Sequence, residues 1–398
     1  MKINFALSCI IATIACKVSA KCFATELGYP CCSKEVEPVE FNKDGIWGIE
    51  NGKKCGIEPS KKSFRNTKKY NEVRSTKVNY NKTKGYMNIL EKLAVNYLPE
   101  GIDQRSNDVD YPEVIKTTYY SNTTQSERKV DIVLPVNYKE NKKYPVFYYL
   151  HGIFVDPDYM LQEELGTIPI YGNLLHKGLA KEMIIVIPDQ YAPLKGHEFP
   201  AELNQDYYDG YDNFINDLVN DLMPFIAENF RIRTGRENTA IGGFSFGGRN
   251  SLYIGYVRSD LFGYVGALSP APGVTPGEDQ WSNHKGLLSE DELVAKIPPI
   301  VTFISGGTND PAVGTFPKQY SEILTRNRQK HVYLSIPNGE HDPFSNKVGY
   351  LNFVMSLFGN LKSIDDSESE SDGSESDVNE VDANEVDANE VDVNEVDE

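Results

Sequence analysis

An α/β fold with a mostly parallel sheet and helices on both faces is predicted for the centre of this 398-residue chain. Short apolar runs rich in β-branched and aromatic residues alternate there with amphipathic stretches of helical period. This pattern is typical of parallel strands joined by helices. A glycine-rich turn directly follows one of the runs. Because such sheets bind ligands beyond the carboxyl ends of their strands, the chemistry is expected in the loops after the runs.

Six strands are predicted from the apolar runs. The first run alternates between apolar and polar residues, as an outer strand does. The second and third are continuously apolar, which is typical of strands buried on both faces. The six runs occupy residues 129–134, 144–150, 183–187, 239–243, 299–305 and 331–336.

Four helices are predicted between and after these strands. The longest, residues 211–230, has an apolar face of helical spacing. That face consists of Phe214, Leu218, Leu222 and Phe225. The other three helices are predicted at residues 250–257, 320–328 and 348–358.

A G-x-S-x-G motif, Gly243-Phe244-Ser245-Phe246-Gly247, lies between a predicted strand and an apolar helix. In that context the serine occupies a strained turn that exposes its hydroxyl group. The two glycines let backbone and helix approach closely, and the helix N-terminus favours developing negative charge. The alternative is a glycine-rich turn with an idle serine. The flanking strand and helix favour a nucleophile, Ser245.

A serine nucleophile needs a histidine base that is oriented by an acid, and on this fold they follow in the order serine, acid, histidine. Of the six histidines, only His331 and His341 come late enough in the chain. His331 begins a predicted strand and is assigned a structural role, whereas His341 lies in the loop after that strand. Asp310 follows another strand end and is the predicted acid, with a turn-forming role as its alternative.

The oxyanion formed during acyl transfer needs two backbone N–H groups. One is predicted from Phe246, the residue after the nucleophile. The other is predicted from Ile153 or Gly152, in the loop after residues 144–150, because glycine permits close approach of the backbone to a ligand. His151 is expected to brace this loop.

Residues 98–361 resemble carbohydrate esterase family 1. The resemblance depends on Leu150-His-Gly-Ile153, Asp209-Gly-Tyr-Asp-Asn-Phe214, residues 240–248, Gly307-Thr-Asn-Asp310 and Gly339-Glu-His-Asp342. It implies an α/β-hydrolase fold and a triad of Ser245, Asp310 and His341. It also implies the release of ferulate from arabinoxylan, or of acetyl groups from xylan as in some members, without a metal or organic cofactor. Phe246 departs from the methionine of many members, which would reshape the acyl pocket.

Residues 1–20 are typical of a secretory signal, because Lys2 precedes an apolar run that ends in the small-residue site Val18-Ser19-Ala20. The run is shorter than the ~20 residues a membrane-spanning helix needs. A secreted, soluble protein is therefore expected, with a buried N-terminal helix as the alternative. Sequons at Asn81 and Asn122 are compatible with glycosylation.

Four cysteines remain after the predicted signal, and no cysteine occurs in the 343 residues that follow them. They are Cys22, Cys31, Cys32 and Cys55. Four cysteines in a short secreted segment predict two disulfides, with Cys31 and Cys32 each pairing with Cys22 or Cys55. A zinc site is the alternative, although C-x-x-C spacing and a nearby histidine are missing.

This segment, residues 22–57, resembles a fungal dockerin, the module that attaches enzymes to a cellulosome scaffold. The resemblance depends on Cys22-Phe-Ala-Thr-Glu-Leu-Gly-Tyr-Pro-Cys-Cys32, Gly45-Ile-Trp-Gly48, Glu50-Asn-Gly52 and Cys55-Gly-Ile57. It implies Tyr29 and Trp47 as scaffold contacts, with core packing as the alternative for Trp47. Lys54 stands where the family often has an aromatic residue. Carbohydrate binding is the alternative for the module.

Two charged segments flank the catalytic domain predicted at residues 96–362. Residues 58–95 are predicted to be a basic linker, with nine Lys or Arg against one Glu between positions 59 and 85. Residues 363–398 carry 16 acidic and no basic residues, with a five-residue repeat from Asn379, and are predicted to be a disordered spacer. The net charge of −18 therefore comes mostly from the tail, and its sign argues against nucleic-acid binding.

The sequence thus predicts a secreted serine esterase that releases ferulate from plant polysaccharide and assembles as a monomer into a cellulosome. Aromatic residues near the loops favour ferulate, namely Phe154, Tyr191, Phe199 and Trp281. Acetylxylan esterase is the near alternative. A non-catalytic carbohydrate-binding module is a second alternative, and a lipase, a peptidase or a scaffold component fits less well.

Overall fold

The computed structural model describes residues 23–33, 38–42, 45–56, 80–194, 205–278, 283–359 and 361–363. The predicted signal and nearly all of the predicted acidic tail lie outside these residues, as do Cys22, Phe199 and Trp281. The chain divides into two compact units, one up to residue 60 and one from residue 61. Within the described ranges, no helix has the length and apolar character needed to span a membrane.

The first unit is a small antiparallel sheet with one short helix. Its elements are α1 Phe23–Glu26, β1 Pro38–Asn42, β2 Gly45–Glu50 and β3 Lys53–Gly56. The strands pair in the order β1-β2-β3. A disulfide joins Cys32 to Cys55, one of the pairings that the sequence left open, and Cys31 is also disulfide-bonded. Cys31, Cys32 and Cys55 therefore have no free thiolate to offer a zinc ion.

Trp47 forms the core of this first unit. It is 2% exposed and packs with Ala24, which is fully buried. The Tyr29 ring meets it edge-on at 5.1 Å between ring centroids, and the Lys54 ammonium lies 4.5 Å from the centre of the indole. This burial fits core packing, the stated alternative for Trp47, and its role as a scaffold contact stays a prediction. Tyr29 is 45% exposed and stays accessible.

The second unit is built on an eight-stranded sheet. Its strands are β4 Glu113–Ser121, β5 Ser126–Leu134, β6 Val146–Leu150, β7 Ile184–Pro188, β8 Thr239–Phe244, β9 Tyr264–Leu268, β12 Val301–Gly307 and β13 Val332–Ile336. Strands β10 Gly277–Glu278 and β11 Asn283–His284 form a separate two-stranded ribbon. The order across the sheet is β13-β12-β9-β8-β6-β7-β5-β4. The five contacts from β13 to β7 are parallel, and β5 is antiparallel to both neighbours. The mostly parallel sheet is confirmed.

Helices cover both faces of this sheet, so that the central strands are buried on both sides. The helices are α2 Tyr80–Leu93, α3 Thr167–His176, α4 Gln205–Asp212, α5 Phe214–Asp217, α6 Met223–Asn229, α7 Phe246–Val257, α8 Phe316–Arg326 and α9 Pro343–Met355. In β6, Tyr148 belongs to one hydrophobic core and its neighbours Phe147 and Tyr149 to the other. Burial of each such side chain contributes about 1.5–3 kcal/mol, which explains the continuous apolar run.

Helix α2 corrects the predicted linker, because it occupies residues that the sequence assigned to the range 58–95. Met87 and Leu90 are almost fully buried in the core. The Tyr86 hydroxyl donates a hydrogen bond to the carbonyl of Ser356 at 2.8 Å. The catalytic unit therefore begins before residue 96. Its first helix is mostly polar and has only a narrow apolar face, which its composition alone does not indicate.

The predicted helix at residues 211–230 is interrupted. Helices α4, α5 and α6 share this range with a π-helical turn at Leu218–Leu222. Pro224 lies in the first turn of α6 and has no N–H to donate, so a regular α-helix cannot continue through it. The predicted face is correct, since Phe214, Leu218 and Leu222 are fully buried.

Candidate active site

Ser245 occupies a sharp turn between β8, which ends at Phe244, and α7, which begins at Phe246. Its backbone has φ 60° and ψ −118°, a left-handed conformation that costs a non-glycine residue energy. The Ser245 N–H donates to the Leu268 carbonyl at 2.9 Å, and its carbonyl accepts from the Ala271 N–H at 2.9 Å. Neighbouring strand ends therefore hold the serine in this turn.

Gly247 allows the start of α7 to lie directly on the end of β6. A Cβ atom at this position would lie 2.1 Å from the Leu150 carbonyl oxygen and 2.6 Å from that of His151. A side chain cannot be accommodated there. The close approach also brings Gly152 to Ser245, since a Cβ at Gly152 would lie 3.6 Å from the serine Cβ. The loop predicted to supply an oxyanion donor thus lies beside the predicted nucleophile.

Asp310 and His341 form a hydrogen-bonded pair. The His341 Nδ1 lies 2.8 Å from Asp310 Oδ2, and the Asp310 side chain is completely buried. Asp310 Oδ1 accepts from the N–H groups of Ala312 and Val313 at 2.9 and 3.0 Å. Since both carboxylate oxygens accept hydrogen bonds, Nδ1 of His341 carries the proton and Nε2 is the free base.

The two loops that carry this pair are bonded to each other. The Asn309 N–H donates to the Gly339 carbonyl at 2.9 Å, and the Asn338 N–H donates to the Thr308 hydroxyl at 2.8 Å. The loops follow β12 and β13, which are neighbours in the sheet. Adjacent strand ends therefore bring acid and base together across 31 residues of sequence.

The His341 ring lies against the residue before Ser245. It stacks on Phe244 with 4.6 Å between ring centroids and 26° between planes. Asp342, which flanks His341, caps α9 by accepting from the Ser345 N–H at 2.9 Å. His331 bonds to the Ser321 hydroxyl and the Gln329 carbonyl, and burial lowers its pKa. Its geometry fits the structural role that the sequence predicted.

His151 is completely buried and braces the loop beside Ser245. The Gln190 N–H donates to its Nε2 at 3.0 Å. Its Nδ1 must therefore carry the proton, which it donates to the Gly152 carbonyl at 2.6 Å. This bond directs the Gly152 carbonyl toward the imidazole. In a trans peptide the next N–H, that of Ile153, points the opposite way.

A buried amide network behind this loop was not predicted from the sequence. The Gln190 side chain donates to the His151 carbonyl and accepts from the Asn250 amide at 3.0 Å. Arg249 donates to Asn250 at 2.9 Å and to Asp212 at 2.6 Å. Asp212 lies within a motif that the sequence analysis quoted, but Gln190 is 60 residues from Asn250 and has no local signal.

Aromatic side chains surround Phe246. The ring centroids of Tyr211 and Tyr208 lie 4.9 and 5.7 Å from that of Phe246. Tyr191 packs on Tyr211 at 5.2 Å, within a cluster that is nearly inaccessible to solvent. The aromatic residue next to the nucleophile is therefore the edge of a larger aromatic wall.

A serine on a strand-turn-helix elbow, followed in the chain by a buried aspartate and a histidine on neighbouring strand ends, defines the α/β-hydrolase class of serine hydrolases. The chain belongs to the family described as "Putative esterase", whose family model matches residues 121–363. It is a serine carboxylic-ester hydrolase. A second family model, described as "Cellulose or protein binding domain", matches residues 21–57.

One solved structure covers nearly the whole catalytic unit. It is the CE1 ferulic acid esterase AmCE1/Fae1A of Anaeromyces mucronatus, in complex with ferulic acid. The two chains are 53% identical with a TM-score of 0.66, over 68% of this chain and 99% of that one. The resemblance to carbohydrate esterase family 1 is confirmed.

Two curated relatives match shorter stretches. The Endo-1,4-beta-xylanase/feruloyl esterase of Xylanibacter ruminicola is 27% identical over 172 residues, which is 41% of this chain and 22% of that protein. Feruloyl esterase B of Piromyces equi is 41% identical over 59 residues, which is 15% of this chain and 11% of that protein. The chain thus spans about a fifth or less of these two relatives.

Proposed function

We propose that this protein is a secreted feruloyl esterase, which releases ferulate from arabinoxylan through an acyl-enzyme intermediate. The observation that carries the choice of ferulate is the 53% identity to AmCE1/Fae1A over 99% of that enzyme, which was solved with ferulic acid.

In the proposed mechanism, Nε2 of His341 takes the proton of the Ser245 hydroxyl as Oγ attacks the ester carbonyl. Asp310 holds the imidazole in the required tautomer and stabilises its protonated form. The tetrahedral intermediate collapses, and the sugar alcohol leaves with the proton from His341. Water then attacks the feruloyl-serine with His341 again as base, which releases ferulate and restores Ser245.

The oxyanion is proposed to bind the N–H groups of Phe246 and Ile153. Phe246 is the first residue of α7, so its N–H has no acceptor within the helix. For the second donor, the His151 bond to the Gly152 carbonyl favours Ile153 over Gly152, because it turns the next N–H away from the imidazole. His151 is then a positioning residue.

The chain ends extend this proposal. The apolar run of residues 1–20 and the disulfide-stapled module support secretion. The module at residues 21–57 is proposed to dock to a cellulosome-type scaffold, with the exposed Tyr29 as a contact. Residues 363–398 are proposed to be an acidic spacer.

The test is hydrolysis of methyl ferulate and of acetylated xylan, side by side, with Ser245→Ala as the nucleophile control. Ferulate release that Ser245→Ala abolishes is expected. Acetate release with little ferulate would move the substrate to acetylxylan and keep the mechanism. Hydrolysis of neither ester would favour a non-catalytic carbohydrate-binding module, and unchanged hydrolysis by Ser245→Ala would refute the nucleophile.

A further inference from the structure

A second surface feature shares the oxyanion loop with Ser245. A groove of about 490 Å³ opens at the carboxyl ends of β6 and β7, where α/β sheets bind their ligands. Phe154, two residues after the glycine that lies beside Ser245, forms one wall of the groove. Its N–H donates to the Tyr211 hydroxyl at 3.3 Å, which ties the wall to the aromatic cluster.

The groove presents aromatic faces to solvent. Phe154 is 60% exposed and has a left-handed backbone with φ 66°. A residue with a Cβ atom is strained in that conformation. Tyr207 packs on the Phe154 ring with 5.5 Å between the ring centroids. Tyr159 lines the groove from the 3₁₀ turn Pro157–Leu161. Rings exposed in this way suit the C–H faces of sugar rings.

The polar lining of the groove consists of Gln162 and of carboxylates that each lie near a basic side chain. Lys129 Nζ lies 3.5 Å from Asp156, and Lys116 donates to Asp158. A third carboxylate, Asp189, has the buried Arg128 guanidinium at 3.7 Å. The groove therefore offers hydrogen-bond acceptors together with the donors of the Gln162 amide. Such a lining suits a ligand with many hydroxyl groups.

We propose that this groove binds the pentose residues of the alcohol part of the ester, that is, the arabinoxylan chain which leaves from the acyl-enzyme. This inference rests on the proposed function. Among the described residues, neither Ser245 nor His341 lines the groove. The acyl group is bonded to Ser245 and must lie beside the elbow, whereas an attached polysaccharide extends away from it. An open groove one loop away fits the polysaccharide.

The test compares a small ester with a glycosylated one. We would measure KM and kcat for methyl ferulate and for a feruloylated arabinoxylo-oligosaccharide, in Tyr159→Ala and Gln162→Ala. The matched control is Tyr97→Ala, an exposed tyrosine near Val95, whose N–H bonds to Asn352 toward the end of α9. KM for the oligosaccharide ester is expected to rise about tenfold in Tyr159→Ala. Values for methyl ferulate, and all values for the control, are expected to stay unchanged.

A binding experiment separates this inference from the proposed function. Unesterified arabinoxylo-oligosaccharide would be titrated calorimetrically into Ser245→Ala, with and without Gln162→Ala or Tyr159→Ala. Binding that the groove substitutions weaken supports the groove even if methyl ferulate is not hydrolysed. Unaltered binding in the groove variants would overturn the assignment. A rise in KM for methyl ferulate equal to that for the oligosaccharide ester would also overturn it, and would make the groove an acyl pocket.

Discussion

The two units of this chain solve the problem of stability in different ways. Among its described residues, the first unit has a core of one tryptophan and a few small neighbours, and a disulfide between Cys32 and Cys55 closes a loop of 23 residues. The second unit has no cysteine and buries two hydrophobic layers against an eight-stranded sheet. A short module cannot bury enough apolar surface to stay folded without covalent help. The large unit can, and the burial of its core offsets the backbone strain at Ser245.

The largest expected effect tests the site that the large unit supports. Asp310→Asn is expected to lower kcat for methyl ferulate about 10⁴-fold. An amide in place of Oδ2 would donate to Nδ1 of His341, so that the proton moves to Nε2 and the base is lost. Steady-state kinetics with the purified variant would measure this.

Asp342→Asn is the matched control for Asp310→Asn. Asp342 also neighbours His341, but it caps α9, and asparagine is an equally good cap. The kcat of the Asp342→Asn variant is expected to stay at the wild-type value. Equal losses in the two variants would contradict the assignment of Asp310 as the residue that orients His341.

The next effect concerns the small unit alone. Replacing Cys32 and Cys55 together by serine is expected to destabilise the module by about 3 kcal/mol, the value for closing a loop of this length. Because Trp47 is its core, unfolding would expose the indole to water. Trp47 fluorescence in a Trp281→Phe background reports this, since the chain has two tryptophans. Hydrolysis of methyl ferulate is expected to be unchanged, and a parallel loss would show that the catalytic unit depends on the staple.

A smaller effect is expected from His151→Phe, which keeps a ring in place but removes both hydrogen bonds. The Gly152 carbonyl would lose its partner, and the Ile153 N–H would no longer be held in position. A fall in kcat of about 10- to 100-fold with little change in KM is expected. His331→Phe is the control, because this histidine also makes two hydrogen bonds but lies away from the elbow. A kcat loss of the same size in both variants would indicate a general effect on stability.

The sequence predicted the parts of the molecule that have a local pattern. All six predicted strands are present, and the loops of Asp310 and His341 meet as the strand order implied. Two strands of the eight-stranded sheet lacked a usable signal. Strand β4 is an exposed outer strand, and β9 has small residues, Gly266 and Ala267, at its centre.

Other features arise only from contacts between distant segments. Helix α2 has few apolar residues, and nothing in its sequence shows that Met87 and Leu90 meet a core formed much later in the chain. The amides of Gln190 and Asn250 are partners only because β7 ends and α7 begins at the same edge of the sheet. Such buried polar pairs have no periodicity, so they cannot be read from spacing.

The smallest expected effect concerns a charge that the large unit tolerates in its sheet. Asp131, on β5, is 4% exposed, and burial, together with the nearby Asp158 carboxylate, raises its pKa to about 6. The ordinary pKa of an aspartate carboxyl is 3.8. The folded protein therefore binds this proton more tightly, and ionised Asp131 destabilises the fold above about pH 6. Asp131→Asn is expected to raise the free energy of unfolding by roughly 1–3 kcal/mol at about pH 8.

The pH dependence of this gain distinguishes a titration from a packing effect. Below about pH 4 the carboxyl is protonated in both states, so the difference between Asp131→Asn and the wild type should shrink toward zero as the pH falls from about 7 to about 4. Urea unfolding at both ends of this range, with the exposed Asp108→Asn as control, measures it. A gain that stays constant with pH would mean that the substitution acts through packing. A gain that vanishes at low pH would show that the large unit carries an ionised carboxylate inside its sheet at neutral pH.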